Sequence, residues 1–266
     1  MPIAIADIAA RLGPAARRFD MDVLPRCDST NALALSRAEA GAASGLVIVA
    51  EEQTAGRGRR GRSWFANPGD SLTFSLFWRF APGTPPAGLS LAVGVAVARA
   101  LEKAMSCASG GNGTGDPRLK WPNDILMRGR KLGGILVELL PDAPHAAVIG
   151  IGINLRLPAG MPDDVRAASA AMAEQAAAID AAAVLAAILR ELLATLEAFA
   201  AGGFAALRAE WMARHAFQDA SVRLTTDFAP LRVGICRGVD SDGALLLEMD
   251  GRVERVLSGE VSLRPA

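Results

Sequence analysis

The sequence predicts an α+β fold: a mixed, mostly antiparallel sheet with helices on one side, then a small all-β module. Three observations lead there. RLKW, KLGGILVELL and AVIGIGINLRL are three apolar runs in close order between residues 118 and 157, too close for crossover helices. Residues 180–216 then carry two long amphipathic helical patterns, so helices are set apart from strands. From Ser221 the texture changes to short alternating segments, VRLTT, LRVGICRGVD, GALLLEMDG, RVERVL and EVSLR, punctuated by Asp-Gly turns.

Residues 3–19 read as a short helix and linker. DSTN at 28–31 offers side-chain oxygens to cap a helix over the following ALALSRAEA. LVIVAEE is a short apolar run bounded by glycine and charge, hence a buried strand. In SLTFSLFWRF the residues Leu72, Phe74, Leu76 and Trp78 alternate onto one strand face. LSLAVGVAVARALEKAM at 89–105 is a buried helix, and the Gly-rich stretch 106–117 is a flexible connection. The two helices expected at 180–202 and 203–216 close a first domain over residues 1–217. A small β-barrel over 218–266 follows.

Composition narrows the function. Hydrophobic residues make up 51% of the 266, enough for a large core. The 28 basic residues equal the 28 acidic ones. That balance argues against a general nucleic-acid binder, which carries a basic excess over a face or domain. Three scattered cysteines and two histidines show neither disulfide nor metal spacing, which fits a reducing, cytoplasmic setting. No basic n-region opens the chain and no apolar run reaches the roughly 18 residues that span a bilayer, so neither export nor a membrane is expected.

Against that neutral background, GRGRRGR at 56–62 is a local concentration of charge. Glycines let backbone N–H groups approach an anion and arginines add forked donors, which favours a small anionic ligand over nucleic acid or a solvated turn. KWPNDILMRGRKLGG brings Lys120, Asn123, Asp124 and Lys131 within twelve residues. A lysine can stabilise charge on a transferred phosphoryl group and an aspartate can hold magnesium, though a hairpin with surface charges is the plain alternative. Gly133 and Gly134 in a strand suggest close approach of a ligand to backbone. GIGIN places Asn154 at a strand end, with a donor and an acceptor for a base edge or amide. The DSTN cap could also bind a polar neutral head group such as a urea. Gln53 ends its strand just before the arginine loop, and Trp64 just after it is either core or a stacking platform. His145, His215 and Cys27 have plain readings as surface, packing and inert residues.

The order of these motifs carries more than any one. DSTN, EEQTAGRGRRGRSW, KWPND, KLGGILVE, GIGIN and a terminal GEVSLR together resemble the biotin protein ligases over residues 26–264. The resemblance implies a class II synthetase-like catalytic domain and an SH3-like C-terminal barrel. It implies that biotin and MgATP give biotinyl-5′-AMP and pyrophosphate, and that the biotinyl group then passes to one lysine of a biotin carboxyl carrier domain. By motif, Ser29, Thr30, Asn31 and Gln53 would contact the biotin head group, with Gly134 on the biotin-contacting strand. Arg57, Gly58 and Arg59 would lie along the biotinyl-phosphate. Lys131 would touch the carboxylate and the α-phosphate, and Lys120 would support developing charge. Arg57, Lys120 and Lys131 are thus the catalytic candidates. Arg57, Arg59, Arg60, Trp64, Asn123, Lys131 and Asn154 would hold the nucleotide, and Asp124 magnesium. Some members of the family carry an N-terminal DNA-binding winged helix. The residues before DSTN are too few for one, so no operator binding is expected. A homodimer is left open. A lipoate ligase, a nucleic-acid module and a non-catalytic sensor are the competing readings.

Overall fold

The computed structural model describes residues 3–109, 116–175, 178–226, 231–257 and 261–265. Helix α1 (Ile5–Leu12) and a 3₁₀ turn lead to β1 (Asp20–Cys27), and α2 (Thr30–Glu39) links it to β2 (Leu46–Gln53). After the arginine loop come β3 (Ser71–Arg79) and α3 (Leu89–Ser109). The antiparallel run β4 (Arg118–Lys120), β5 (Asp124–Met127), β6 (Arg130–Leu140) and β7 (Ala143–Asn154) follows. Then come α4 (Asp163–Ala167), α5 (Ala181–Gly202) and α6 (Arg208–Arg214), and finally β8 (Ser221–Thr226), β9 (Arg232–Val239), β10 (Leu245–Met249), β11 (Arg252–Val256) and β12 (Val261–Pro265).

Seven strands form one sheet in the order β1-β2-β3-β7-β6-β5-β4. Only β1 and β2 pair in parallel, joined across α2; every other neighbour is antiparallel. Strand β1 follows the residues 3–19 read as a helix and linker, in a stretch where the sequence suggested no element. Its Pro25 interrupts the apolar pattern, and proline can sit in a strand only where its missing N–H costs no ladder bond. β1 is an edge strand, and Pro25 falls between the paired positions Leu24 and Arg26.

Alternation along the strands divides the sheet into two faces. Val47, Val49, Leu72, Phe74, Leu76, Ile149, Ile151 and Ile153 point into the main core with α1, α3 and α5. The opposite face is covered at one end by α2, where Ala34 and Ala38 pack on Ile48, Phe77 and Val148. Helices therefore lie on both faces, not on one, because the β1–α2–β2 crossover carries α2 to the other side. Past the start of α2, this second face is lined by small and polar residues.

The C-terminal strands form a five-stranded antiparallel sheet in the order β11-β10-β9-β8-β12. All five follow the segments expected from the sequence. The indole N–H of the fully buried Trp121 donates to the Gly243 carbonyl at 3.0 Å and anchors this sheet to the first domain. The expected connection at 106–117 differs at its start, since α3 continues to Ser109; residues 110–115 lie outside the described part. His215 is a packing residue, buried and stacked on Trp211 with ring centroids 4.6 Å apart.

Candidate active site

The site lies on the sheet face that α2 leaves open. Thr73 and Ser75 of β3, Gly150 and Gly152 of β7, Gly134 and Leu136 of β6 and Asp124 of β5 occupy the strand positions opposite in phase to the core residues. Glycine keeps this floor thin. A Cβ at Gly150 would sit 2.1 Å from Asn31 Oδ1, and one at Gly152 would sit 2.4 Å from the Trp64 ring. A cleft of about 980 Å³ opens above the floor, and all fifteen candidate residues border it, from Ser29 to Asn154.

One end of the cleft is a hydrogen-bonded polar cluster at the start of α2. Ser29 is the N-cap, its hydroxyl accepting from the Ala32 amide at 3.4 Å. The Thr30 amide and hydroxyl both donate to Gln53 Oε1, at 2.7 and 3.0 Å. Ser75 Oγ stands 2.8 Å from Thr30 Oγ1 and 2.6 Å from Asn31 Oδ1. The Asn31 amide nitrogen donates to Glu138 Oε2 at 2.7 Å and to the Leu136 carbonyl at 3.3 Å. Two hydroxyl protons, those of Thr30 and Ser75, thus face three oxygen–oxygen contacts. Asn31 Oδ1 and Gln53 Oε1 supply none, so this end is short of donors and suits a ligand that brings N–H groups.

The middle of the cleft is ionic. Asp124 Oδ2 pairs with Lys120 Nζ at 2.8 Å and Asp124 Oδ1 with Lys131 Nζ at 2.6 Å. Burial alone would raise the Asp124 carboxyl, but the two ammonium groups outweigh it and hold it far below the usual carboxylate range. Lys120 is pushed down by burial, with Asp124 acting against that shift. A β-bulge makes the pairing with Lys131 geometrically available. Ile125 faces Gly133 but Leu126 faces Lys131, so Leu132 is the extra residue in β6. The bulge turns Lys131 onto the site face while Leu132 enters the core.

The arginine loop borders this cleft. It folds back on itself through the Arg57–Ser63 bridge and the Trp64 amide, which donates to the Gly56 carbonyl at 2.9 Å. Only glycine fits at 56, since a Cβ would lie 2.5 Å from the Trp64 carbonyl oxygen. Arg60 adopts a left-handed conformation, φ 59°, within the single 3₁₀ turn. Arg59 reaches inward to Asn123 Oδ1 at 3.3 Å; burial lowers its pKa and Asp124 opposes the shift. Arg57 Nη2 lies 4.0 Å from Glu138 Oε1. The Trp64 ring packs against Gly152, its centroid 6.0 Å from Lys131 Nζ, in cation–π range.

Two candidates carry structural bonds as well. Asn123 Nδ2 donates to the Ile135 carbonyl at 2.8 Å. Asn154 Nδ2 donates to the carbonyls of Ala170 and Lys131, so the donor half of its expected donor–acceptor pair is engaged by backbone. Cys27 keeps its plain reading: burial, and then Asp28, raise its thiol pKa. Sequence reasoning missed Thr73, Ser75 and Glu138, and also Arg264, which borders the cleft from the C-terminal sheet. Thr73 and Ser75 were visible as the polar phase of SLTFSLF. Glu138 and Arg264 end the KLGGILVE and GEVSLR segments, but nothing in those segments gave either side chain a role.

Among the described residues no group of three or more His, Cys, Asp or Glu side chains forms a metal site, and no helix is long and apolar enough to cross a membrane.

Known proteins resemble this chain in sequence and in overall fold. Residues 23–154 match the biotin/lipoate A/B protein ligase family, and residues 221–264 match the biotin protein ligase C-terminal domain. The bifunctional ligase/repressor BirA of Escherichia coli is 40% identical over 247 residues, 92% of this chain and 74% of that protein. The biotin–[acetyl-CoA-carboxylase] ligase of Mycobacterium tuberculosis is 35% identical over 91% of this chain and 88% of that protein. The biotin protein ligase from Aquifex aeolicus, solved in complex with biotin and ATP, superimposes with a TM-score of 0.79 at 27% identity, covering 93% of this chain and 99% of that one. By the identity to relatives matched over most of their length, and by a fold shared from the first domain through the C-terminal sheet, the chain belongs to the biotin protein ligase family of enzymes.

Proposed function

We propose that this chain activates biotin with MgATP and transfers it to a lysine of a biotin carboxyl carrier domain. One observation carries the proposal: a donor-poor polar cluster and a Lys–Asp–Lys cluster share one cleft under an arginine loop. A ureido ring brings two N–H donors and one carbonyl. Gln53 Oε1 and Thr30 Oγ1 accept the former, and the Ser29 hydroxyl donates to the latter. The acyl tail then runs over Gly134 toward Lys131, which meets the carboxylate.

In the first step a biotin carboxylate oxygen attacks the α-phosphorus of ATP. The bond to the bridging oxygen breaks and pyrophosphate leaves. Two anions must approach one another, so Arg57, Arg59, Lys120 and Lys131 supply fixed positive charge where negative charge develops. Arg60, Trp64, Asn123 and Asn154 border the nucleotide end, as does Arg264 of the C-terminal domain. The Asp124 carboxylate, kept ionised beside Lys120 and Lys131, fits a hard cation and would hold magnesium once one of those lysines turned to the phosphates. Bound there, magnesium would neutralise phosphate charge. In the second step the acceptor lysine's amine attacks the acyl carbon, an amide forms and AMP leaves. The loop, lying across the cleft, shields the anhydride from water in the interval. Residues 1–217 serve as the catalytic domain in this reading and 218–266 as a small SH3-like domain.

Isotope exchange between pyrophosphate and ATP tests the first step, with biotin, lipoate or octanoate added separately. Exchange with biotin alone is expected. Exchange with lipoate or octanoate instead, or with none, would overturn the proposal.

A further inference from the structure

Glu138 joins the polar cluster to the arginine loop, and the sequence motifs assigned it no role although it ends the KLGGILVE segment. Its carboxylate uses both oxygens. Oε2 accepts from Asn31 Nδ2 at 2.7 Å, and Oε1 faces Arg57 Nη2 at 4.0 Å. The Asn31 side chain is 4% exposed as a residue and lies flat on Gly150, where no Cβ could fit. With Glu138 and the Leu136 carbonyl both acting as acceptors, the Asn31 amide has one orientation: nitrogen toward β6, oxygen toward Ser75. Asn31 Oδ1 then takes the Ser75 proton at 2.6 Å. Ser75 therefore has none left for Thr30, 2.8 Å away. The single Thr30 proton goes to Gln53 Oε1, so Thr30 Oγ1 stays open as an acceptor, and the donor shortage at the head-group end follows.

Resting on the biotin-ligase reading above, we infer that Glu138 is a positioning residue that sets the hydrogen-bond polarity of the head-group pocket through Asn31 and holds the arginine loop through Arg57. The two roles use different properties of one side chain. Orienting Asn31 needs an acceptor. Holding Arg57, on a glycine-flanked loop beside Arg59, Arg60 and Arg62, needs a negative charge. If the acceptor were lost, the Asn31 amide could turn and Ser75 could donate to Thr30. Thr30 Oγ1 would then accept from Ser75, and an incoming N–H would lose that acceptor.

Glu138→Gln and Glu138→Ala separate these roles. Glutamine keeps an acceptor for Asn31 and removes the charge; alanine removes both. For the full chain, biotin KM and kcat are read from pyrophosphate exchange, and escape of activated biotin from labelling of serum albumin. Glu138→Ala is expected to raise biotin KM at least about tenfold, the size of one lost hydrogen bond in a buried network. Glu138→Gln should leave biotin KM within about threefold of the parent. Both should raise albumin labelling about threefold, in the range for a partly exposed ion pair. The increase should vanish when Glu138→Gln is placed in an Arg57→Gln background. Glutamine is isosteric, so its result stands if the alanine variant does not fold. Parental KM and labelling in both variants, or additive labelling in the double variant, would overturn the inference. A parent enzyme with no biotin-dependent exchange would sink the biotin-ligase reading instead.

Discussion

Lys131 Nζ stands 2.6 Å from Asp124 Oδ1, across a bulge that turns the lysine away from the core and onto the site face. The same carboxylate holds Lys120 on its other oxygen. A buried anion thus keeps two cations close to each other in the absence of substrate.

Lys131→Ala is expected to cut biotin-dependent exchange at least about 100-fold, in the range for loss of a charge-stabilising group. A sensor that did not catalyse would still bind biotin with that substitution. A near-normal exchange rate in the variant would remove Lys131 from the chemistry.

Asp124→Asn leaves two ammonium groups without their counter-ion. Removing one partner of a buried ion pair costs about 3–5 kcal/mol, and the partial exposure of the Lys131 side chain reduces the expected loss to about 2 kcal/mol. Exchange should fall at least about tenfold, with a higher magnesium requirement. Urea unfolding at neutral pH measures the first quantity. Unchanged stability would show that the carboxylate does not hold the lysines in place.

Arg57→Gly removes the contact with Glu138 and loosens the loop that crosses the cleft. More biotin should then reach serum albumin, and the segment 56–62 should be cut faster by trypsin at its remaining arginines. Biotin with ATP should slow cleavage of the parent loop. Equal cleavage of the parent with and without ligands would count against a closing loop.

His215 is 1% exposed, and its Nδ1 has no hydrogen-bond partner. Burial pushes its pKa down to about 4; the nearby Gln218 amide opposes the shift without closing a bond to Nδ1, and Arg118 adds to it. The unfolded chain therefore binds this proton near pH 6.5 while the folded chain does not until about pH 4. The stability tied to neutral His215 is complete above pH 6.5 and is lost as pH falls toward 4, by up to about 3 kcal/mol. Comparing urea midpoints at pH 7 and 4.5 for the parent and His215→Gln checks this. Parallel curves would refute it.

Glycine substitutions on the floor should divide the site in two. Gly150→Ala drives a methyl into Asn31 and Gly152→Ala drives one into Trp64. Each should cost about 1–3 kcal/mol of stability through overpacking. Their kinetic effects should differ: Gly150→Ala raises biotin KM, and Gly152→Ala raises ATP KM. The same KM change in both would contradict the assignment of the two ends.

Much of this site was legible before any coordinates. The GRGRRGR and KWPND segments are dense in charge and glycine over a few residues, and such local patterns survive in one dimension. The strands β2, β3, β6 and β7 and the five C-terminal ones were legible for a related reason, since period-two alternation and Asp-Gly turns are properties of neighbours in sequence. Edge strand β1 was not, because Pro25 breaks the apolar pattern and only its place at the sheet edge makes it tolerable.

The sequence by itself determined most of the elements, the small-residue phase of the central strands and the loop's charge. Tertiary structure alone decided that Glu138 meets both Asn31 and Arg57, more than a hundred positions away from the first and some eighty from the second. It also decided that α2 covers the sheet face opposite α3 and α5, and that a bulge at Leu132 hands Lys131 to Asp124. The physical reason is common to all three. Strand register and crossover direction are set by how the whole sheet buries its apolar face, and that is a sum over distant residues which no short segment contains.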